Sequence, residues 1–350
     1  MTRHFFLLQD FFILQAQQIS NIISQMKRMI QLLPMVIALL AGCISNEKTC
    51  IDIIFDTDAN NELDDQHAIA YLLLNDDVFN TVGITTNVTI NGGIDAQCEE
   101  VARVAALLGH FGDGVRILPG ATAKFEDILP SLGSAAYDGS EAVEFIIDAA
   151  KKYSPENKLT VVPVGKLTNI ALALSKAPEI IPNLRVVWLG SNYPGGGEHN
   201  LICDIPSMNY VIESGVQFEM LVCRYGEPTG TSAVRISIDR VRSDLAGKGP
   251  VAATPVTGRN GGEFTCFGDY SVDLFEHIHL NEDGTRSLFD LVTLAVVKNP
   301  EWGKATVIPA PIFDGTNWVE RPDNQRSITV WTDFAREEII SDFISSLDKR

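Results

Sequence analysis

The chain has 350 residues, with 27 Lys+Arg against 45 Asp+Glu (formal net charge −18) and 45% hydrophobic and 21% charged residues. That apolar share excludes disorder as the bulk state, and the acidic balance excludes a protein that grips nucleic acid by neutralising phosphates. Six cysteines with no Cys-x-x-Cys pair exclude a disulfide scaffold and a structural zinc site of the usual spacing.

Residues 26–43 open with Met26-Lys27-Arg28, run uncharged from Met29 to Leu39, and end in Leu40-Ala41-Gly42-Cys43. The apolar run is too short to span a bilayer and has the layout of a signal peptide. Leu-Ala-Gly-Cys resembles the lipobox of bacterial lipoproteins. That resemblance implies removal of residues 1–42, lipidation of Cys43 and a tether over 43–49, with the protein held at the bacterial cell envelope, periplasmic or surface-exposed. Met26 is the expected initiator, with 1–25 an upstream extension. The expected folded unit is 50–350, one domain without repeat or linker. Its cysteines (Cys50, Cys98, Cys203, Cys223 and Cys266) read mostly as buried small hydrophobes.

Strand-like and helix-period segments alternate from there. Ile51–Phe55 reads as a buried strand, and Asp64–Leu74 sets Ala68, Ile69, Leu72 and Leu73 at helical spacing. Val82–Thr86 (strand), Ala96–Leu108 (helix, stopped at Gly109) and Val115–Leu118 (strand) follow. Next come Glu141–Lys152 (helix), Leu159–Val164 (strand), Leu167–Ser175 (helix) and Leu184–Leu189 (strand), then Ile205–Ser214 (helix) and Phe218–Cys223 (strand). From Arg224 to Glu282 the pattern breaks into Gly, Thr and charged residues. Ser287–Lys298 is helical again, Ser327–Thr332 a strand and Glu337–Leu347 a closing helix. The alternation predicts an α/β fold, an open and mostly parallel sheet with helices on both faces.

The first strand ends in Asp56-Thr57-Asp58-Ala59-Asn60-Asn61-Glu62-Leu63-Asp64-Asp65, five acids in ten residues. Ligands of open parallel sheets bind beyond the strands' carboxyl ends, and carboxylates so crowded call for a shared cation. Oxygen donors without Cys suit a hard ion such as Ca²⁺ or Mg²⁺. The plainer alternative is a solvated loop with Asp64 capping the next helix. An EF-hand fails here, because Asn61 stands where Gly is needed and His67 where Glu is needed. A haloacid-dehalogenase-type phosphotransferase, with Asp56 as nucleophile, Asp58 as acid/base and Gly268–Asp273 as the later motif, leaves Asp64-Asp65 without a role.

Asp56-Thr57-Asp58 with Asp64-Asp65 resembles the opening signature of the inosine–uridine-preferring nucleoside hydrolases, with about two extra residues between the pairs. Gly83-Ile84-Thr85-Thr86 leading to Asn91, Val162–Leu172, Asn192 with Glu198-His199-Asn200 and Asp204, and Leu288-Phe289-Asp290 are similar to that family's later motifs, in order. The resemblance implies Ca²⁺ held by Asp58, Asp65, Asp290 and the Val164 carbonyl. The sugar hydroxyls would be bound by Asp64, Asn91 and Asn200, and its 5′ side by Asn192 and Glu198. It also implies hydrolysis of the N-glycosidic bond of a small nucleoside, with Asp58 taking a proton from the attacking water. Relatives that are dimers or tetramers make a homo-oligomer an expectation too.

Phe289 departs from the pattern: many relatives have His there to protonate the leaving base, and a phenyl ring has no proton to give. His199, Arg224, Tyr225, Trp318 and Thr229–Ser232 are the alternatives, although Tyr225 and Trp318 also read as packing residues and Arg224 as a surface charge. His277 and His279 read as surface residues. A nucleoside- or ribose-binding lipoprotein without turnover would share the lipobox and the polyol-binding groups.

Overall fold

The computed structural model describes Met26 and residues 50–349; the expected leader, the lipobox with Cys43 and the tether lie outside the described residues. The first half of the fold runs β1 (Ile51–Thr57), α1 (Leu63–Leu74), β2 (Phe79–Thr86), α2 (Ile94–Leu107), β3 (Ile117–Leu118), α3 (Phe125–Ile128), α4 (Ser140–Ala150) and β4 (Leu159–Pro163). It continues with α5 (Thr168–Lys176), β5 (Leu184–Leu189), α6 (His199–Cys203), α7 (Ile205–Glu213) and β6 (Gln217–Leu221). Then come β7 (Arg235–Ser237), α8 (Ile238–Asp244), β8 (Val256–Thr257), β9 (Glu263–Phe264), α9 (Phe267–Glu276), β10 (Thr285–Ser287) and α10 (Phe289–Lys298). The last elements are β11 (Lys304–Pro309), β12 (Ile312–Phe313), β13 (Trp318–Val319), β14 (Ser327–Thr332) and α11 (Arg336–Ser346).

Eight strands form one sheet in the order β3-β2-β1-β4-β5-β6-β14-β11, parallel throughout except for the last pair. The expected α/β architecture is therefore observed. The two-residue period of the strands divides the core. Ile53, Phe55, Val162, Val187 and Leu189 point to the layer containing α1, α9, α10 and α11. Ile54, Val161, Val186 and Trp188 point to the layer containing α4, α5 and α7. All twelve residues of α1 are buried. Gln66 Nε2 donates to the Ala59 carbonyl and to Glu100, both at 3.0 Å, while its buried Oε1 has no partner among the described residues; His67 lies 2.6 Å from the Leu63 carbonyl and 2.7 Å from Ser271 Oγ. Burial lowers the His67 pKa to about 4, so this ring is a neutral core group.

The segment expected to be irregular, 224–282, contains two helices, α8 and α9. In α9 the buried Phe267, Tyr270, Ser271, Leu274 and Phe275 follow a helical period. Gly268 obscures it, and a Cβ there would sit 1.9 Å from the Leu245 carbonyl oxygen, so this close approach requires glycine. Strand β11 is a further addition. Five of its six residues are exposed, Val307 among them, so no hydrophobic alternation announces it. Of the cysteines, Cys223 and Cys266 are buried, but Cys50 is exposed and Cys98 and Cys203 are half-buried. Trp318 is buried against Tyr193 and Phe313, and His277 and His279 are exposed.

Candidate active site

Four neighbouring strands of the sheet deliver one residue each, at or just past their carboxyl ends, to a single cavity of about 560 Å³: Asp58 after β1, Val164 after β4, Leu189 of β5 and Cys223 after β6. Two helices aim their first turns at the same space, α1 with Asp64 and Asp65, α10 with Asp290. The exposed backbone N–H groups at a helix N-terminus favour carboxylates there.

Asp64, Asp65 and Asp290 are buried, and one oxygen from each lies within 4.8 Å of the others. Burial and then the Glu62 charge push the Asp64 pKa up to about 8. Asp65 is raised well above the carboxylate range by burial and by Asp58 and Asp64, and Asp290 by burial and by Asp64 and Asp65. Three such groups at neutral pH call for protons or a cation, and donors that are all oxygen, with no Cys or His, fit a hard divalent ion. The Thr57 hydroxyl donates to Asp65 and fixes its orientation.

Asp58 lines the same cavity but stands outside this trio, its carboxylate accepting from the Thr89 hydroxyl. Burial raises its pKa to about 6, which suits a proton acceptor near neutrality. Gly165 keeps its place clear, since a Cβ there would lie 2.9 Å from Asp58 Oδ1. The Val164 carbonyl accepts from Asn200 Nδ2 at 2.6 Å, leaving one lone pair free for an ion. Asn200 also donates to the Leu189 carbonyl at 3.0 Å, which fixes its amide on the cavity wall.

Glu198 caps α6, accepting from the Leu201 N–H at 3.2 Å, and its other oxygen accepts from the Tyr225 hydroxyl at 3.2 Å. Burial raises its pKa. Asn91 sits at the mouth and donates to Asn61 Oδ1 at 2.9 Å, while Asn61 Nδ2 lies 3.2 Å from His199 Nε2. The Phe289 ring meets Tyr225 edge to face, with centroids 5.7 Å apart, and forms an aromatic wall.

Of the residues anticipated for the site, Asp58, Asp64, Asp65, Asn91, Val164, Glu198, Asn200 and Asp290 meet at this cavity. Asn192 is not among its lining residues. Its amide donates to the Gly197 carbonyl at 3.1 Å across the 192–197 turn. Of the anticipated metal ligands, Asp65 and Asp290 lie in the carboxylate trio with Asp64, and Asp58 and Val164 line the same cavity.

Asp56 belongs to the scaffold. It is fully buried and accepts from Thr85 (2.6 Å), Asn87 (2.8 Å) and Asn169 (2.7 Å), so its oxygens face protein donors. A phosphotransferase nucleophile needs an open face, and Asp56 lacks one; Asp269, bonded to the Gly247 N–H at 2.7 Å, is likewise outside the cavity. Asp204 caps α7 and accepts from the Phe125 N–H at 2.8 Å. Asn61, Arg235, Arg286 and Ser287 line the site without having been anticipated. The long Asp58–Asp64 loop was the signal for Asn61, whereas the other three lie in or beside the segment that lacked periodicity.

The fold is a doubly wound α/β sheet with buried carboxylates gathered at its carboxyl edge. The family described as inosine-uridine preferring nucleoside hydrolase matches residues 53–338, and the chain belongs to it. It is 34% identical over 133 residues to an uncharacterized protein of Schizosaccharomyces pombe, spanning 36% of this chain and 42% of that one. It is 27% identical over 221 residues to the pyrimidine-specific ribonucleoside hydrolase RihB of Escherichia coli, spanning 56% of this chain and 63% of that one. The chain thus spans less than two thirds of these curated relatives. The solved inosine-uridine preferring nucleoside hydrolase of Bacillus anthracis shares the fold, with a TM-score of 0.62 at 17% identity over 86% of this chain and all of that one.

Proposed function

We propose that the protein hydrolyses the N-glycosidic bond of ribonucleosides to free base and ribose, with Ca²⁺ as its ion. The observation that carries this reading is the meeting, in one cavity, of a buried carboxylate trio, a separate carboxylate (Asp58) and an amide–carboxylate wall (Asn200, Glu198).

Asp64, Asp65 and Asp290, with the Val164 carbonyl, would hold the ion. When bound, it would acidify a water and anchor the ribose diol. Asn200, through the amide oxygen left over once its two N–H groups are used, and the Glu198 carboxylate orient the sugar by accepting from its hydroxyls. Asp58 takes the proton of the attacking water, and its pKa near 6 keeps it ionised at neutral pH. The carboxylates around the sugar favour the positive charge that develops at the anomeric carbon.

Relatives named for pyrimidine and for inosine–uridine substrates make both base classes the substrates to try. Incubating the purified protein with inosine or uridine and assaying reducing sugar should give release in calcium and none after chelation. Binding without release would favour the nucleoside-binding alternative. In this reading Cys43 anchors the domain to the cell envelope by lipid, on the strength of the lipobox-like Leu40-Ala41-Gly42-Cys43.

A further inference from the structure

Most hydrogen-bond donors of the cavity are already committed. Tyr225 donates to Glu198, the Ser287 hydroxyl to the Ser232 carbonyl at 2.8 Å and the Ser232 hydroxyl to the Arg224 carbonyl at 2.7 Å, while His199 Nε2 accepts from Asn61 Nδ2 at 3.2 Å. Arg286 on β10 differs. One end of its guanidinium is clamped by Glu62, Nη1 makes a long 3.5 Å contact to the His279 carbonyl, and the buried Nε has no partner among the described residues. One buried N–H of a part-exposed guanidinium at the cavity wall is thus left without a partner, and an arriving acceptor would relieve that cost.

Its position selects the acceptor. Arg286 lies three residues before Phe289 on the chain entering α10, and Phe289 with Tyr225, packed edge to face, gives that side of the cavity the aromatic surface that suits a planar base. With the sugar held at the carboxylates, as the hydrolytic reading requires, that aromatic side is where the base would lie.

Resting on the hydrolytic reading above, we infer that Arg286 carries the negative charge that develops on the departing base. As the water oxygen bonds to the anomeric carbon, the carbon–nitrogen bond breaks and its electron pair moves onto the base nitrogen. The water's proton goes to Asp58. The guanidinium, always charged, hydrogen-bonds the base anion without protonating it. Solvent then protonates the base, and Asp58 releases its proton to solvent. Glu62 is a positioning residue, holding the fork in place.

The test compares leaving groups. Arg286→Met and Arg286→Lys are assayed in calcium on inosine, on uridine and on p-nitrophenyl riboside, whose leaving group is a stable anion without help. Ribose binding by calorimetry reports whether the sugar half of the site is intact. Arg286→Met should lose about 100- to 1000-fold in kcat on the two nucleosides. It should lose far less on p-nitrophenyl riboside, with ribose affinity kept. Arg286→Lys, which keeps charge but loses the fork, should fall between and suffices if the Met variant does not fold. An equal loss on all three substrates, or no loss on any, would overturn the inference and leave the hydrolytic reading standing. A wild-type protein inactive on all three would overturn both.

Discussion

Removing one charge from the carboxylate trio should have opposite effects with and without metal. At 4.8 Å and an effective dielectric of about 20, each ionised pair repels by about 3–4 kcal/mol. Asp290 takes part in two of the three pairs. Raised pKa values let protons relieve part of this, so at pH 8 in chelator Asp290→Asn should stabilise the fold by about 2 kcal/mol, or about 3 °C in Tm. Calcium at about one hundred times its dissociation constant should stabilise the wild type by about 2.7 kcal/mol. The variant should gain almost nothing from it. Differential scanning fluorimetry at pH 8, with chelator and with a calcium series, reads both effects. A variant that melts below wild type in chelator, or that keeps the full calcium shift, would refute the assignment of Asp290 as charge donor to a shared cation.

Asp58→Asn should cut kcat at least about 1000-fold while Tm in chelator does not fall below wild type, because this carboxylate acts on water and its charge adds to the repulsion on Asp65; turnover and melting curves check both. His67 titrates in the folded protein near pH 4, below its unfolded value of 6.5, so the native state binds fewer protons than the unfolded chain between those limits and stability falls as pH drops through them. That slope amounts to about 3 kcal/mol, and urea melts of His67→Asn should show it flattened between pH 6.5 and pH 4. In chelator the buried trio acts in the opposite direction, with stability lost as pH rises from about 4 towards 8, and calcium should suppress that loss. Cys43→Ser should move the expressed protein from the membrane fraction to the soluble fraction, with loss of labelling by a radioactive fatty acid.

The fold was legible wherever packing imposes a period. β1, α1, β4 and α5 bury nearly every side chain, so apolar runs of the right length identified them. β11 pairs by backbone at the sheet's edge and leaves its side chains in solvent, so its sequence carries no such mark. The site was legible as chemistry more than as geometry. Five acids after a buried strand announced a charge cluster, but not that Asp56 would turn inward to Thr85, Asn87 and Asn169 and serve the scaffold. Asn192 shows the converse, a motif position whose amide closes its own turn. Arg286 had no neighbour in sequence to reveal it, because its partner Glu62 lies 224 residues away and only the folded chain brings them together.

The most direct test of the account is a crystal grown in calcium and soaked with ribose, examined by anomalous scattering at long wavelength. The account predicts one calcium ion bound by Asp64, Asp65, Asp290 and the Val164 carbonyl, with two ribose hydroxyls completing its shell and the anomeric carbon open to a water beside Asp58. A cavity holding ribose with no ion among those oxygens, or an ion bound elsewhere, would contradict it.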